Sequence, residues 1–572
     1  RNPGPCDTLI GHPVDIASGR CTETATDLFV ASPGIPVSFS RSFNNLDLRV
    51  SSLGWGWRFS LDMRVIFVSN TSADITNAII INSNGKRDIY TKGTGNTFDP
   101  PSGIYNTLTL NVDSTSTLTT RENITYTFNQ GGKLKEIKDL NSNTLTINFT
   151  DDTSPTAQIT TIVDSVGRTY TFTYENGKIK TIKDPALRTV TYTYNGDLLT
   201  HVTNPGNEII EYGYDSTTYD LLTIKNPEGV IYLTNTYDTQ GRTKTQNHAG
   251  RTYEFTYNNG YTTVKEQGLY ISTYYYNTTY GFVTQYIDPF NKWTTYTWDI
   301  ATKQLMSVTD PLGNVTSYTY YPDGKIWTIT QTISATESKT TTFEYYDQQY
   351  FGKLKKITDP ESNVTTFTYT NDGKANLYSI EDYMGNITYL EDYNSRGQFR
   401  RIKDANLKYT YITYDTYGYL ESIKDPLNRT TYFTHDIVGN RTQVKDALTR
   451  ITDYFYENFT RLDYIRDALG HITNVDYDLN GNIKKVTDAR GYDTHFEYNS
   501  INQLRFVKDH FLNIKAEYIY DNNNLWRVKN ARNEIIEYGY DALNRVKTKT
   551  LNGAYGTDSI TYTYDDAGRL LT

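Results

Sequence analysis

Cysteine, methionine and histidine are scarce in this 572-residue sequence, which contains two, three and seven of them. The cysteines do not form a Cys-x-x-Cys pattern, and no histidines stand in a His-x-x-x-His or His-Glu-x-x-His pair. Such spacings are the ones by which zinc and haem sites are recognised. Phosphate-binding Walker A and nucleophile Gly-x-Ser-x-Gly motifs are also missing. We therefore predict no catalytic residue, no metal site and no cofactor.

Two further absences narrow the class of protein. Lys and Arg number 56 against 65 Asp and Glu, a net charge of -9, so the chain lacks the overall basic character typical of nucleic-acid binding. No run of 18 or more apolar residues is present, so we predict no membrane-spanning helix and no nucleic-acid partner.

Aromatic residues, by contrast, make up 14% of the sequence, and tyrosine alone occurs 52 times. Mean hydropathy is -0.61, but disordered chains are poor in aromatic residues. Tyrosine and threonine favour strands, whereas helix-favouring stretches rich in alanine and leucine are scarce. We predict an all-β protein with more than about 40% strand and less than about 10% helix.

An aspartate recurs at a constant spacing along the second half of the sequence. A strand-like segment such as Ile483–Thr487 leads into an Asp-x-x-Gly turn, and the segment after the turn alternates between two sets of side chains. That alternation is typical of a strand with one buried face. Each repeat therefore predicts one β-hairpin, and consecutive hairpins are expected to pair into a continuous sheet. The aspartates lie 21 residues apart at Asp404, Asp425, Asp446, Asp467, Asp488 and Asp509, and Asn530 follows.

The apolar residues between the turns break strict alternation. Leu420 and Ile423 are three positions apart, so we expect a β-bulge or a strong twist in that strand. A chain of this length would otherwise suggest about four domains, but a repeat architecture removes that expectation.

A second turn in each repeat begins with Tyr-Asp. Its candidate motif residues are Tyr414, Asp415 and Gly418; Tyr477, Asp478 and Gly481; Tyr540 and Asp541; and Tyr564, Asp565 and Gly568. The asparagine-rich example at Asp478–Asn482 superficially suggests calcium. An EF-hand loop, however, needs glycine at its sixth position and glutamate at its twelfth, and Ile483 and Ala489 stand there. We interpret these segments as hairpin turns.

These repeats resemble the YD-repeat family, which includes bacterial Rhs proteins, the C component of Tc toxins and the teneurin shell. The family motif Tyr-Asp-x-x-Gly-Arg-Leu is matched at Tyr564–Leu570, and the segments Gly11–Gly19, Pro36–Asn45 and Gly54–Trp57 resemble the region that precedes Rhs repeats. The resemblance implies an N-terminal β cap followed by a hollow, spiralling shell with a tyrosine-rich lining. It divides the chain into an Rhs-type N-terminal β region, residues 1–128, and a YD-repeat β-shell, residues 129–572.

Family members usually end their shell with a core segment, an aspartate-dependent cleavage site and a variable toxin, and this sequence contains none of these. We therefore favour a non-enzymatic, secreted or cell-surface structural shell that self-assembles into filaments or is adhesive. The alternative is the shell portion of a polymorphic toxin that encapsulates a C-terminal toxic domain. A glycan-processing enzyme would need a pair of carboxylates at one site, and nothing in the sequence marks such a pair.

The repeated tyrosines have two interpretations. They stabilise the sheet through cross-strand aromatic pairs, or they line a surface that binds glycans or an enclosed polypeptide through aromatic faces with polar tips. The sequence does not tell which face of the sheet is inside. Trp55 and Trp57 are expected to pack within the N-terminal cap.

Cys6 and Cys21 are candidates for a disulfide, although free thiols or half of a metal site remain alternatives. A bridge between them would close a loop of about 15 residues and would indicate an oxidising, extracellular setting. The sequence begins at Arg1 without a signal peptide, which fits a removed leader or a sequence that simply starts there. Candidate glycosylation sites are Asn70, Asn123, Asn148, Asn277, Asn314, Asn363, Asn386, Asn428, Asn440 and Asn458. This composition produces about ten such triplets by chance, so they do not themselves argue for secretion.

The last hairpin is incomplete after the predicted strand Ile560–Tyr564. An unpaired strand edge is a template for another chain. The expected partners are therefore a second copy, added head to tail, or further C-terminal sequence. The segment before Gly11 is a plausible strand donor.

Overall fold

The computed structural model describes residues 9–70, 74–332, 337–458, 460–521, 523–553 and 556–572. Strands contain more than half of the chain. Within the described residues the only helical segment is one 3-10 turn, Gln348–Tyr350, and none forms a helix long and apolar enough to cross a bilayer. The all-β prediction is confirmed.

Short strands at the N-terminus form three small sheets. They are β1 (Leu9–Ile10), β2 (Val14–Asp15), β3 (Thr22–Val30), β4 (Val37–Asn44), β5 (Val50–Ser51), β6 (Gly54–Trp55) and β7 (Trp57–Phe59). Strand β1 pairs with β2, β5 pairs with β6, and β4 lies between β3 and β7.

All later strands belong to one antiparallel sheet in which each strand pairs with the next. Those of the first turn are β8 (Arg64–Ser69), β9 (Ile75–Ile81), β10 (Arg87–Lys92), β11 (Thr97–Asp99), β12 (Thr107–Leu110), β13 (Ser116–Thr119), β14 (Thr125–Phe128), β15 (Leu134–Lys138), β16 (Thr144–Phe149), β17 (Ile159–Val163), β18 (Thr169–Glu175), β19 (Lys178–Lys183), β20 (Thr189–Asn195), β21 (Leu198–Thr203), β22 (Ile209–Tyr214), β23 (Leu221–Lys225), β24 (Ile231–Tyr237), β25 (Thr243–His248), β26 (Arg251–Asn258), β27 (Tyr261–Glu266), β28 (Tyr270–Tyr276), β29 (Val283–Ile287) and β30 (Trp293–Asp299).

The second turn of the spiral begins near Ala301, whose carbonyl accepts a hydrogen bond from the Ser102 hydroxyl of the first turn, and its strands continue the same pairing. Its strands are β31 (Gln304–Thr309), β32 (Val315–Tyr320), β33 (Ile326–Thr332), β34 (Ser338–Tyr345), β35 (Leu354–Thr358), β36 (Val364–Tyr369), β37 (Leu377–Glu381), β38 (Ile387–Tyr393), β39 (Phe399–Lys403), β40 (Tyr409–Tyr414), β41 (Leu420–Lys424), β42 (Thr430–His435), β43 (Arg441–Lys445), β44 (Ile451–Glu457), β45 (Arg461–Arg466), β46 (Ile472–Tyr477), β47 (Ile483–Thr487), β48 (Asp493–Tyr498), β49 (Leu504–Lys508), β50 (Ile514–Asp521), β51 (Asn524–Asn530), β52 (Ile535–Tyr540), β53 (Val546–Gly553) and β54 (Gly556–Thr561).

A β-bulge recurs at the start of the strand that follows a Tyr-Asp turn, as the sequence predicted. Tyr414 is opposite Leu420, but Thr413 is opposite Ser422, so Glu421 is the extra residue. Directly opposite residues share a face of an antiparallel pair. The bulge therefore places Leu420 and Ile423 on the same face, which explains their three-residue spacing.

The sheet closes on itself near its start. Arg64 and Lys133 form an isolated antiparallel bridge. The backbone N–H of Val65 donates to the carbonyl of Gly132 at 2.8 Å, and that of Leu134 donates to the carbonyl of Met63 at 3.1 Å. Strands β8 to β15 thus form a closed ring, from which the sheet continues as a spiral.

Side chains from turns join the two levels of the spiral. Asn141 Nδ2 donates to Asn376 Oδ1 at 2.9 Å, and Lys292 Nζ lies 2.7 Å from Asp566 Oδ2. Arg168 is buried at this seam and donates to the carbonyl of Ile437 at 2.8 Å. Each contact joins residues more than two hundred positions apart, so one turn of the spiral contains more than two hundred residues.

The main core lies between the N-terminal sheet and the first turn of the spiral. The Phe39 ring meets Tyr170 edge to face at 5.3 Å. Trp57 is fully buried and donates from Nε1 to the hydroxyl of Tyr214 at 2.8 Å. Trp55 contacts the ring of Tyr219. The tryptophan pair therefore packs between the N-terminal region and the spiral, in agreement with the expected packing role.

Candidate functional site

Each motif tyrosine joins the outer ends of two directly paired strands, beyond the last residue pair of their ladder. The Tyr477 hydroxyl donates to the carbonyl of Leu462 at 3.0 Å, and Leu462 immediately precedes Asp463, the extra residue of the preceding bulge. A bulge interrupts the ladder of backbone hydrogen bonds, and a buried carbonyl needs a partner. The same contact joins Tyr414 to Phe399 (3.0 Å), Tyr540 to Leu525 (2.7 Å) and Tyr564 to Val546 (2.7 Å).

The environment keeps these hydroxyls protonated. Burial raises the pKa of Tyr414, Tyr477 and Tyr540. A neutral phenol donates its proton to a carbonyl, whereas a phenolate cannot. The motif tyrosines thus hold the sheet together, and their geometry supports a structural interpretation.

The motif aspartates organise the turns. Asp415 Oδ1 accepts from the backbone N–H groups of Tyr417 at 2.9 Å and Tyr419 at 2.8 Å. Gly418 has φ of +79, a conformation that glycine adopts readily. The equivalent N–H contacts of Asp478, Asp541 and Asp565 each include one from the residue four positions later, with Gly481 and Gly568 also at positive φ.

The aspartates at 21-residue spacing organise the turns at the opposite ends of the strands in the same way. Asp425 Oδ1 accepts from the N–H of Arg429 at 2.9 Å, and its Oδ2 accepts from Nε of the same arginine at 2.6 Å. Backbone N–H bonds lower the pKa of Asp425. Among the described residues, no group of three or more His, Cys, Asp or Glu side chains is placed to hold a metal ion.

The inner face of the first turn is identified by what packs on it. Arg41, a buried residue of β4, pairs with Asp27 and donates from Nη2 to the Tyr212 hydroxyl at 2.6 Å. The Tyr192 hydroxyl donates to Asp27 at 2.7 Å. Tyr192 is directly opposite Val202, and both are buried. The face that carries this pair is therefore the lining.

The same register positions in the second turn are less covered. Ile412 and Ile423 are the pair equivalent to Tyr192 and Val202, and both are only half-buried. We call these positions the second-turn lining. Its other half-buried pairs are Phe433–Val444, Tyr454–Ile465, Phe496–Val507 and Tyr518–Val528. An apolar strip with tyrosine hydroxyls along it can hold an extended polypeptide or a glycan through contact area and hydrogen bonds.

The predicted disulfide involves one described residue. Cys21 is completely buried, its sulfur lies 3.5 Å from Nδ2 of Asn235, and burial raises the pKa of the thiol to about 12. Cys6 lies outside the described residues, so the pairing stays a prediction.

The candidate glycosylation sites differ in exposure. Asn148, Asn386 and Asn428 are exposed, whereas Asn314 and Asn440 are half-buried. The Nδ2 group of Asn314 donates to the aspartate of its own turn at 2.7 Å. Glycosylation of these residues stays a prediction.

Comparison with known proteins yields a family match along most of the chain. A family model described as teneurin YD-shell matches residues 104–572, and one described as a domain of unknown function (DUF6531) matches residues 11–90. The tRNA3(Ser)-specific nuclease WapA of Bacillus spizizenii and the tRNA nuclease WapA of Bacillus subtilis are each 27% identical over 135 residues. That segment is 24% of this chain and 6% of either nuclease.

Solved structures that match this chain include Tc toxin complexes. The Photorhabdus luminescens Tc holotoxin pore has a TM-score of 0.42 at 11% identity, with 94% of this chain and 30% of that chain covered. The TcdB2–TccC3 complex has a TM-score of 0.33 at 10% identity, with 96% and 45% covered. The chain thus spans less than half of these solved proteins and a small part of the two nucleases.

Proposed function

Because the chain belongs to the teneurin YD-shell family, we propose that it is the wall of a non-enzymatic extracellular shell whose second-turn lining holds a polypeptide segment. The observation that carries the proposal is the difference between the two turns. Strands of the N-terminal region cover the lining of the first turn, whereas the equivalent pair Ile412–Ile423 is half-buried. The second-turn lining therefore occupies the same register positions as the first-turn lining, against which the strands of the N-terminal region already pack.

The contacts in the first turn indicate what kind of polypeptide fits. Trp57 meets Tyr212 edge to face at 5.0 Å, and the guanidinium of Arg41 lies 5.5 Å from the Tyr212 ring centre. Tyr454 and Tyr518 occupy the lining of the second turn. Aromatic and arginine side chains gain most from tyrosine faces, so a segment rich in these residues is the expected occupant.

Self-assembly is a second candidate function. It draws on strand β54, whose six residues are all exposed and are therefore available for contact with a second copy. This candidate predicts oligomers or filaments of the purified chain by electron microscopy, and it predicts that deletion of Arg1–Ile10 changes the oligomeric state. Monodisperse monomers at high concentration, unchanged by the deletion, would reject it.

Binding of an unfolded polypeptide tests the leading proposal. The probe is an unrelated protein that is unfolded by reduction and alkylation and carries a fluorescent label. It is titrated with the unsubstituted chain, with the lining variant Phe433→Ser and with the control variant Tyr432→Ser. Tyr432 is the neighbouring residue on the opposite face and is 49% exposed. We expect weaker binding for Phe433→Ser and unchanged binding for Tyr432→Ser, with both variants folded by circular dichroism. Equal affinity of all three proteins would overturn the proposal.

A further inference from the structure

Two cations face each other where the first ring of the sheet closes. Arg64 and Lys133 are partners in an isolated antiparallel bridge, so their side chains leave the backbone on the same face with Cβ atoms about 5 Å apart. Like charges directly opposite each other in a sheet are destabilising. A negative charge at this position would therefore stabilise the closure.

A cavity of about 280 Å³ lies at this bridge. We call it the closure cavity; its lining includes Arg58, Asp62, Arg64, Lys133, Phe149 and Tyr174. Three cationic side chains therefore line it beside one carboxylate, and that carboxylate already accepts a hydrogen bond from the Ser52 hydroxyl.

The cations of the cavity differ in how they are paired. Arg58 is paired with Asp47 at 2.8 Å, and Lys133 donates to the carbonyl of Ala157. Among the described residues, the guanidinium of Arg64 has neither an ion pair nor a hydrogen-bond partner. Burial, followed by the nearby guanidinium of Arg58, lowers the pKa of Arg64, and burial lowers the pKa of Lys133. Asp62 offsets only part of this charge: its carboxylate favours the charged form of Arg64 and of Lys133. Two cations without an ion pair among the described residues, against one carboxylate, leave the site with a net positive charge.

We propose that the closure cavity binds a small organic anion, whose phosphate or carboxylate group lies between Arg64 and Lys133 and whose apolar part lies against Phe149 and Tyr174. Charge-assisted hydrogen bonds to such a group are stronger than neutral ones. The volume is near the lower end of small-molecule sites, about 300 Å³, and it fits a ligand with one ring or a short chain. Because the anion bridges β8 and the start of β15, its binding stabilises the closure of the first ring.

Titration calorimetry of the full chain tests the proposal with three probes: phenyl phosphate, benzoate and inorganic phosphate. We expect saturable binding of one phenyl phosphate or one benzoate per chain, and weaker binding of inorganic phosphate because it lacks the apolar part. Preference between the first two probes identifies the headgroup. Absence of saturable binding by all three at millimolar concentration would overturn the proposal.

Two variants and a matched control locate the site. Arg64→Met and Lys133→Met should each weaken binding by about tenfold or more. Arg490→Met should bind normally, because that side chain is 80% exposed and belongs to the second turn. Unchanged affinity in both cavity variants would refute the assignment.

Thermal unfolding separates loss of the site from loss of the fold. Without anion, Arg64→Met should unfold at a temperature no lower than that of the unsubstituted chain, because it removes a like-charge pair. With phenyl phosphate or benzoate, the unfolding temperature of the unsubstituted chain should rise, since a ligand bound only to the folded state stabilises it. An equal rise in Arg64→Met would contradict the proposal.

Discussion

The hydroxyl of Tyr477 lies 3.0 Å from the backbone oxygen of Leu462 and joins the ends of β45 and β46, the paired strands on either side of the Asp467 turn. The contact places the side chain at the end of one strand against the bulge at the start of the strand before it. Because it recurs at Tyr414 and Tyr540, it holds such strand pairs together beyond the hydrogen bonds of their ladders.

Replacement of Tyr477 by phenylalanine should loosen this coupling. It leaves the Leu462 carbonyl without its donor, at a cost of about 1 kcal/mol. We expect native-state hydrogen exchange to show that loss of opening free energy in β45 and β46. Tyr383→Phe is the control, because Tyr383 is 63% exposed, and it should change the exchange little. Equal effects of the two variants would contradict the structural role of the motif tyrosine.

Acid should destabilise the spiral through its turn aspartates. The pKa of Asp425, Asp446, Asp467 and Asp488 is lowered chiefly by backbone N–H bonds. That of Asp509 is lowered to about 2, first by Lys515. A carboxyl with a lowered native pKa contributes stability above its unfolded pKa, about 4, and loses it as pH falls through the native value.

The contribution of these aspartates to the thermal midpoint should therefore stay constant from pH 7 to about 5. It should decrease between about pH 4 and pH 2. Asp509→Asn should show a shallower fall in that window than the unsubstituted chain. An identical acid limb in the variant would show that Asp509 does not contribute.

His248 should add a separate pH dependence near the N-terminal segment. Burial, then the nearby His12, lowers the pKa of His248 to about 4. The two rings are 4.4 Å apart, His12 also contacts the buried Glu23, and Arg251 opposes protonation of His248. The unfolded chain, with an ordinary histidine pKa of about 6.5, binds more protons between these two values. Stability from this group is thus complete above about pH 6.5 and declines as pH falls toward 4.

His248→Gln should remove that part of the decline in thermal midpoint between pH 7 and 4.5. His471→Gln is the control, because its side chain is 56% exposed and belongs to the second turn. The proposition fails if His248→Gln, like the control, keeps the pH profile of the unsubstituted chain.

Peptide mapping without reductant should find Cys6 joined to Cys21 within one chain. Because the thiol of Cys21 is buried, with a pKa raised to about 12, resistance to alkylation in the native protein would not by itself prove a bridge. The labelling must follow unfolding in denaturant. Two alkylated cysteines under those conditions would reject both the disulfide and the oxidising setting inferred from it.

The sequence alone determined the repeating unit. The 21-residue spacing of Asp425 and Asp446 predicts the hairpin turns because aspartate accepts hydrogen bonds from its own turn. The spacing of Leu420 and Ile423 predicts the bulge because it breaks a two-residue period. These are local properties, and local chemistry decides them.

Only the tertiary structure decided which face is the lining and where the sheet closes. Tyr432 and Phe433 are both aromatic neighbours on opposite faces, so alternation could not distinguish inside from outside. That choice follows from N-terminal residues such as Arg41, which packs against Tyr212 far along the chain. Likewise, Arg64 and Lys133 lie opposite each other only because distant parts of the backbone pair. A repeat pattern in the sequence does not indicate which distant strands pair.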